Sequence, residues 1–226
     1  VYGFCPTIAM AVDWADITPG NVGDWTGSTG HSTNNNFFNY TSASGNVITV
    51  GNANQSGGGV PSQINGDIYG GYSSNPNSTI KINTGAQAVD NNSVTVFAPT
   101  PGSTAGTTGA VNVYGGYKYN SGSTHTTTSI SNNTVTIHSG ADLGYGSVAG
   151  AVLYNATASS DSMEQMSNNR VIIYGGTMGR IAGAGADIRA PNITAISNNS
   201  VTIDLTNGGT FELNVSGGSS PRGMIY

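Results

Sequence analysis

The 226-residue chain is poor in charge: 8% of its residues are Asp, Glu, Lys or Arg, and its formal net charge at pH 7 is −5, whereas charged residues make up about 25% of an ordinary soluble domain. Its six Lys and Arg residues are scattered and provide no basic stripe for a phosphate backbone, so nucleic acid is not an expected partner. No run approaches the roughly 20 apolar residues of a membrane-spanning helix, so no membrane span is expected in this segment.

The first long element, residues 5–44, lacks the patterns that recur downstream and is predicted to be an insertion loop within the first coil of a repeat array. It contains both tryptophans, Trp14 and Trp25, and each directly follows an aspartate. Exposed aromatic rings give a large contact area at low entropic cost, so the two tryptophans are candidate contacts to a glycan or a protein partner. The alternative is that these rings pack the loop down onto the coil.

From residue 45 onward, a short β-branched phrase headed by asparagine returns five times. Its copies are Gly45–Val50, Asn91–Val96, Ser131–Ile137, Ser167–Ile173 and Ser197–Ile203. In most copies two aliphatic residues flank a threonine, which is the period-two pattern of a strand with one buried face. The intervals between successive first aliphatic residues, Ile48, Val94, Val135, Val171 and Val201, are 46, 41, 36 and 30 residues. Because the phrase survives while the interval shrinks, the variable residues are expected in loops that project from a fixed coil.

A second phrase, rich in glycine and tyrosine, lies between these returns. Its copies begin near Ile68, Val113, Val148 and Ile181, and the sequence near both chain ends, Val1–Phe4 and Gly223–Tyr226, reads like partial copies, which predicts a segment of a longer array. One column of this phrase holds Asp67, Asn112, Ser147, Arg180 and Met224, and such variety predicts exposure to solvent. The glycine pairs 70–71 and 115–116 suggest tight corners. Tyr69 and Tyr114 are expected to stack on each other.

Asparagine at the head of each strand has two expected uses. It tolerates left-handed backbone at a corner, and identical side chains one strand spacing apart can hydrogen-bond in a ladder. The predicted structural ladder consists of Asn46, Asn92, Asn133, Asn169 and Asn199.

Only residues 160–166 suggest a single helical turn, so an all-β fold is predicted. Parallel strands need crossover connections, and stacked coils supply them while burying a continuous aliphatic stripe. The sequence therefore predicts a parallel β-helix (β-solenoid) of about five to six coils over residues 1–226, with a β-sandwich or barrel as the alternative.

The alternation of Asn-Asn-x-Val-Thr-Ile strands with Gly-x-Ile-Tyr-Gly-Gly segments resembles the repeat region of Gram-negative autotransporter and haemagglutinin-type surface proteins. The resemblance covers most of the chain from Gly45 onward, together with Val1–Phe4. It implies export, an extracellular or bacterial cell-surface location, and a role in adhesion, aggregation or matrix formation. The implied partner is a host or bacterial surface protein or glycan.

Two other functions stay open at this point. Copies that stack end to end through unpaired strand edges would form an extracellular filament. A polysaccharide-active enzyme would need clustered Asp with Lys or Arg, or paired carboxylates, whereas the eleven acids here are scattered, so no catalytic residue is assigned and an enzyme is not expected. No cofactor or metal ligand is assigned either, because Gly57-Gly58-Gly59 is followed by Val60 rather than by the pattern of a calcium-binding repeat.

Overall fold

The structure is a computed structural model that describes residues 23–25, 36–38, 42–50, 67–74, 83, 86–97, 111–120, 126–139, 141–155, 162–186, 192–206, 208–211 and 215–219. All the regular elements in these ranges are β-strands, and none is a helix. In chain order the strands are β1 (Gly23–Trp25), β2 (Asn36–Phe38), β3 (Val47–Val50), β4 (Ile68–Ser74), β5 (Ser93–Val96), β6 (Val113–Asn120), β7 (Thr126–Ser129), β8 (Thr134–Ile137), β9 (Val148–Asn155), β10 (Ser162–Ser167), β11 (Arg170–Ile173), β12 (Thr177–Met178), β13 (Ile181–Ala186), β14 (Asn192–Ser197), β15 (Ser200–Ile203), β16 (Thr210–Phe211) and β17 (Val215–Ser219).

The strands form three larger sheets and one small one. The five-stranded sheet has the order β15-β11-β8-β5-β3, the seven-stranded sheet β1-β2-β4-β6-β9-β13-β17, the three-stranded sheet β14-β10-β7, and β12 pairs with β16. The chain visits the five-, seven- and three-stranded sheets in the same cyclic order, and we call each such circuit a pass. All pairs are parallel except β1 with β2. This arrangement is consistent with a β-solenoid.

The register of the five-stranded sheet confirms the alignment of the asparagine-headed phrases. Ile48, Val94, Val135, Val171 and Val201 lie in one column. The outer aliphatic residues of β5, β8 and β11 are buried, whereas the residues between them, Thr95, Thr136 and Ile172, are partly exposed. The aliphatic columns of this sheet and of the seven-stranded sheet pack together in one core cluster.

Two local predictions were wrong. Residues 162–167 form strand β10 rather than a helical turn, because their backbone pairs in parallel with both β7 and β14. The glycine pairs 70–71 and 115–116 lie inside strands β4 and β6 rather than at corners. In the seven-stranded sheet, β17 lies next to β13, with Val215 paired to Ile181, and the predicted copy at Met224 lies outside the described residues.

Part of the predicted insertion 5–44 is also described. Strands β1 and β2 form an antiparallel pair. Strand β2 also pairs in parallel with β4, with Phe37 opposite Ile68, and so joins the pair to the seven-stranded sheet. The last residues of the segment belong to the first pass, because the Ser44 hydroxyl donates to the carbonyl of Ala88 (3.1 Å) and accepts from the N–H of Asp90 (2.9 Å). Val1–Phe4 and Gly223–Tyr226 lie outside the described residues.

Candidate functional site

The structure brings the five predicted ladder asparagines together in one continuous column of hydrogen bonds. In each step the backbone N–H and the side-chain Nδ2 of one asparagine both donate to Oδ1 of the asparagine in the next pass, at 2.9–3.1 Å. The chain of donors runs from Asn46 through Asn92, Asn133 and Asn169 to Asn199. The second Nδ2 hydrogen of each donates to a backbone carbonyl, for example from Asn133 to Val89 (2.9 Å). The column therefore provides hydrogen-bond partners for polar groups that are buried away from water.

The left-handed backbone predicted for these asparagines belongs instead to the residue before each of them. Asn91, Asn132, Asn168 and Asn198 have φ between 55° and 60°, and Gly45 occupies the equivalent place with φ of 74°. A short polar side chain or glycine accepts this conformation at the lowest cost. The two residues of the Asn-Asn dipeptide thus have different roles. The first adopts the left-handed backbone at the turn, and the second forms the hydrogen bonds between passes.

The glycine pairs of β4 and β6 lie directly against this asparagine column. A Cβ atom on Gly116 would lie 2.6 Å from Nδ2 of Asn133 and 2.8 Å from Cγ2 of Ile130. A Cβ atom on Gly115 would lie 2.8 Å from Cβ of Asn133. Because these separations are shorter than real Cβ contacts, the glycines are required by packing between two sheets.

A second hydrogen-bond ladder runs along the column that the sequence predicted to be exposed. Oδ1 of Asp67 accepts the backbone N–H (2.9 Å) and Nδ2 (3.0 Å) of Asn112, and Oδ1 of Asn112 accepts the N–H of Ser147 (2.8 Å). Asp67, Asn112 and Ser147 are partly exposed, and Arg180 is the one described member that is classed as exposed. The predicted exposure is therefore confirmed for Arg180 and holds only in part for the first three members, each of which takes part in a hydrogen bond between passes.

Beside this ladder, tyrosine rings form a cluster on strands β4 and β6. Tyr69 lies 4.9 Å from Tyr72, 5.4 Å from Tyr114 and 5.1 Å from Tyr117 between ring centroids. The predicted contact between Tyr69 and Tyr114 is present, but the rings are tilted by 35° rather than stacked. Tyr72 and Tyr117 are stacked at 5.3 Å. The register ends the Tyr69–Tyr114 column at Ala149, as the sequence predicted.

Burial in the tyrosine cluster shifts the pKa values of its own members and of Asp67. The Tyr69 hydroxyl donates to Oδ2 of Asp67 (3.2 Å). Burial raises the pKa of Asp67 above its ordinary value, although the hydrogen bonds from Asn112 and Tyr69 oppose this effect. Burial also raises the pKa of Tyr69, Tyr72, Tyr114 and Tyr117. These hydroxyls therefore stay protonated at neutral pH and can act as hydrogen-bond donors.

The outer face of the five-stranded sheet carries a second aromatic column. Phe97, His138 and Tyr174 directly follow β5, β8 and β11, and their centroids are 4.1 Å and 5.3 Å apart. Partial burial lowers the pKa of His138, which favours a neutral imidazole in the stack. The column lies beside the partly exposed Thr95 and Thr136, so this face presents hydroxyl groups and ring edges with little charge.

Lys118 is a buried polar residue that the sequence did not single out. Its side chain is fully buried, and Nζ donates to the Ser73 hydroxyl (2.8 Å) and to the carbonyl of Ala86 (2.7 Å). In the register Lys118 stands between Ser73 and Leu153, so the same inward position holds three unlike side chains. Nothing in the local pattern distinguishes this lysine from a surface residue. Its ammonium group connects the first and second passes.

The structure describes the backbone of one of the two tryptophans predicted to contact a ligand. Trp14 lies outside the described residues, and Trp25 ends strand β1, whose side chains are not described. Within the described ranges no group of three or more His, Cys, Asp or Glu residues is placed to hold a metal ion. No helix in those ranges is long and apolar enough to cross a membrane.

Comparison with known proteins gave no match to a protein-family model, a curated protein or a solved structure.

Proposed function

We propose that this chain is a cell-surface or secreted β-solenoid with a structural and adhesive role, in which a parallel β-helix of about five to six coils serves as a stiff scaffold. The observation that carries the proposal is the asparagine ladder through five successive passes. A ladder of this kind fixes each pass on the next, as in arrays whose stability is the sum of neighbouring repeats. The fold thus provides an extended surface.

The outer faces support an adhesive use of that scaffold. The five-stranded sheet presents threonine hydroxyls and the Phe97–His138–Tyr174 column, and the chain as a whole has few charges. Tyrosine and tryptophan side chains supply rigid contact area with a polar end, and such residues dominate binding energy at interfaces. We therefore propose a surface protein or a glycan as the partner, with Trp14 and Trp25 as its first contacts. This function places the chain outside the cell or on a bacterial surface.

An attachment assay tests this function. Beads coated with the 226-residue chain are incubated with bacterial and host cells and with immobilised glycans, and bound beads are counted against beads coated with an inert protein. We expect attachment above the inert coat, and we expect Trp14→Ala/Trp25→Ala to abolish it. Tyr145→Ala is the matched control, because Tyr145 is 44% exposed and lies in a turn outside the aromatic columns. Attachment no greater than that of the inert coat on every surface would overturn the proposal.

A further inference from the structure

The asparagine that adopts the left-handed backbone before each ladder residue is exposed. Asn91, Asn132 and Asn168 each have a described pass on both sides, and all three nevertheless face solvent. Their side chains make no hydrogen bond with other described residues, whereas the ladder asparagines that follow them are buried and bonded between passes. A group attached to the amide of this turn residue would therefore leave the ladder intact.

At three of the four asparagine turns, a hydroxyl residue lies two positions further along the chain. The tripeptides are Asn91-Asn92-Ser93, Asn132-Asn133-Thr134 and Asn198-Asn199-Ser200. An asparagine followed at the second position by Ser or Thr is the acceptor sequence for N-linked sugars in secreted proteins. Asn168 has the same place in its pass, but Arg170 stands at its second position. The chain therefore contains its own non-acceptor control.

The acceptor sequence falls on the turn asparagine of each pair and never on the ladder asparagine. Two positions after every ladder asparagine lies the first aliphatic residue of the strand, for example Val94 after Asn92 and Val135 after Asn133, and both are buried. A sugar on a ladder asparagine would also replace an Nδ2 hydrogen that bonds the passes or the backbone. The alternation that builds the core thus limits the acceptor sequence to the exposed turn.

We propose that Asn91, Asn132 and Asn198 are acceptors for an N-linked sugar. In the transfer, Nδ2 forms a bond to C1 of a phosphate-activated sugar, and the bond from C1 to the phosphate oxygen breaks. The phosphate leaves with that electron pair, and a base of the transferase takes one proton from Nδ2. The inference rests on the export of the chain proposed above, because the acceptor sequence is used in secreted proteins. The sugars would add hydrated surface to a chain in which only 8% of residues are charged.

Hydrogen bonds of the folded turn set the order of folding and transfer. The N–H of Asn132 donates to the carbonyl of Ser167 (3.0 Å), and the N–H of Thr134 donates to the carbonyl of Asn92 (2.8 Å). Because a transferase has to reach this backbone, transfer precedes closure of the pass, and the exposed turn lets the folded array keep the sugar. Asn91 and Asn132 lie one strand spacing apart, about 4.8 Å, so a sugar on one crowds the other and chains modified at both are expected to be the minority.

Peptide mass spectrometry of the chain purified from its native source is the first test. Peptides that contain Asn91, Asn132 and Asn198 are expected to carry a sugar, located by fragmentation, whereas Asn168 is expected to be unmodified. Increments of single hexoses would identify a nucleotide-linked donor, and one preassembled block would identify a lipid-linked oligosaccharide as the donor. No sugar at any of the three positions, or equal modification of Asn168, would overturn the inference.

Variants produced in the same source give the second test. Thr134→Ala should abolish the sugar on Asn132 and Thr134→Ser should keep it, whereas Arg170→Thr should add a sugar on Asn168. Thr134 is partly exposed and Arg170 is exposed, so the variants should fold, as circular dichroism can check. A sugar that persists on Asn132 in Thr134→Ala, or an unmodified Asn168 in Arg170→Thr, would overturn the inference. Attachment by a chain without sugar would overturn only this inference, and a sugar-bearing chain that attaches to no surface would overturn only the proposed function.

Discussion

Replacing Asn133 by Ala tests whether the asparagine ladder holds the passes together. Asn133 is fully buried, and its side chain makes four hydrogen bonds. Oδ1 accepts the backbone N–H and Nδ2 of Asn92 at 3.0 and 2.9 Å. Nδ2 donates to Oδ1 of Asn169 at 3.0 Å and to the carbonyl of Val89 at 2.9 Å. Alanine removes all four.

The expected loss follows from the groups left without partners. In Asn133→Ala, the buried backbone N–H of Asn92 and one hydrogen of its Nδ2 lose their acceptor. An unsatisfied buried polar group costs about 1–3 kcal/mol. Two such donors give a loss of about 2–6 kcal/mol in the free energy of unfolding, which is a large part of the about 5–15 kcal/mol available to a typical domain. The missing side-chain volume adds to this loss.

Urea denaturation followed by far-ultraviolet circular dichroism measures the effect. The control is Asn132→Gly, since Asn132 is exposed, has φ of 58° and directly precedes the ladder position. Glycine accepts that conformation, so its expected effect is within about 0.5 kcal/mol. Hydrogen exchange gives a local check, because the Asn92 amide should exchange faster only in Asn133→Ala. A loss below about 1 kcal/mol, or one equal to that of the control, would refute the role assigned to the ladder.

Three further predictions rest on single contacts. Gly116→Ala should lower the free energy of unfolding by about 1–3 kcal/mol, because its Cβ would lie 2.6 Å from Nδ2 of Asn133. Gly45→Asn should be close to neutral, because nothing lies within 4 Å of its Cβ and asparagine adopts a similar positive φ at the equivalent place in the other four passes; urea midpoints compare the two variants. Burial raises the pKa of Asp67 in the folded state, so the contribution of Asp67 to stability is full below the ordinary pKa of 3.8 and is lost as pH rises through the folded pKa. Asp67→Asn should therefore raise the free energy of unfolding at pH 7 and flatten this part of its pH profile. An unchanged profile would contradict the assignment. The fully buried Lys118 should resist amine-reactive labelling in native buffer and react in denaturant, as peptide mass spectrometry can show; equal rates in both would contradict its burial.

The sequence predicted the five-stranded sheet and its register because both depend on a local signal. An aliphatic-threonine-aliphatic triplet fixes which face is buried, and the asparagine before it fixes the alignment to within one residue. The same asparagine pointed to the ladder, since an amide can both donate and accept between equivalent positions. These predictions needed no knowledge of other parts of the chain.

The remaining features depend on contacts between distant segments. The glycines at 115 and 116 were interpreted as corners from their backbone freedom, whereas their cause is close packing against the Asn133 side chain and, for Gly115, against the carbonyl oxygen of Gly150 in the neighbouring strand. Asp67, Asn112 and Ser147 were interpreted as a variable exposed column, although Asp67 and Asn112 each have a side-chain oxygen that accepts the backbone N–H of the next pass. Shared acceptor chemistry was the available signal. No comparable signal precedes Lys118.

The donor-to-acceptor directions of the two ladders are opposite along the chain. Together the two sets of hydrogen bonds hold the passes in register in a chain with few charges. In the asparagine column, each pass donates to the Oδ1 atom of the following pass, as from Asn92 to Asn133. In the second ladder, each pass donates to the preceding one, as from Asn112 to Asp67. A shift of one pass by a single residue would break both sets and turn the aliphatic side chains outward. Asp67 begins the second ladder as a pure acceptor when ionised, which suits a position that receives three donors but leaves a partly buried carboxylate. The raised pKa of Asp67 reflects that conflict, and an asparagine there would keep the acceptor without the charge.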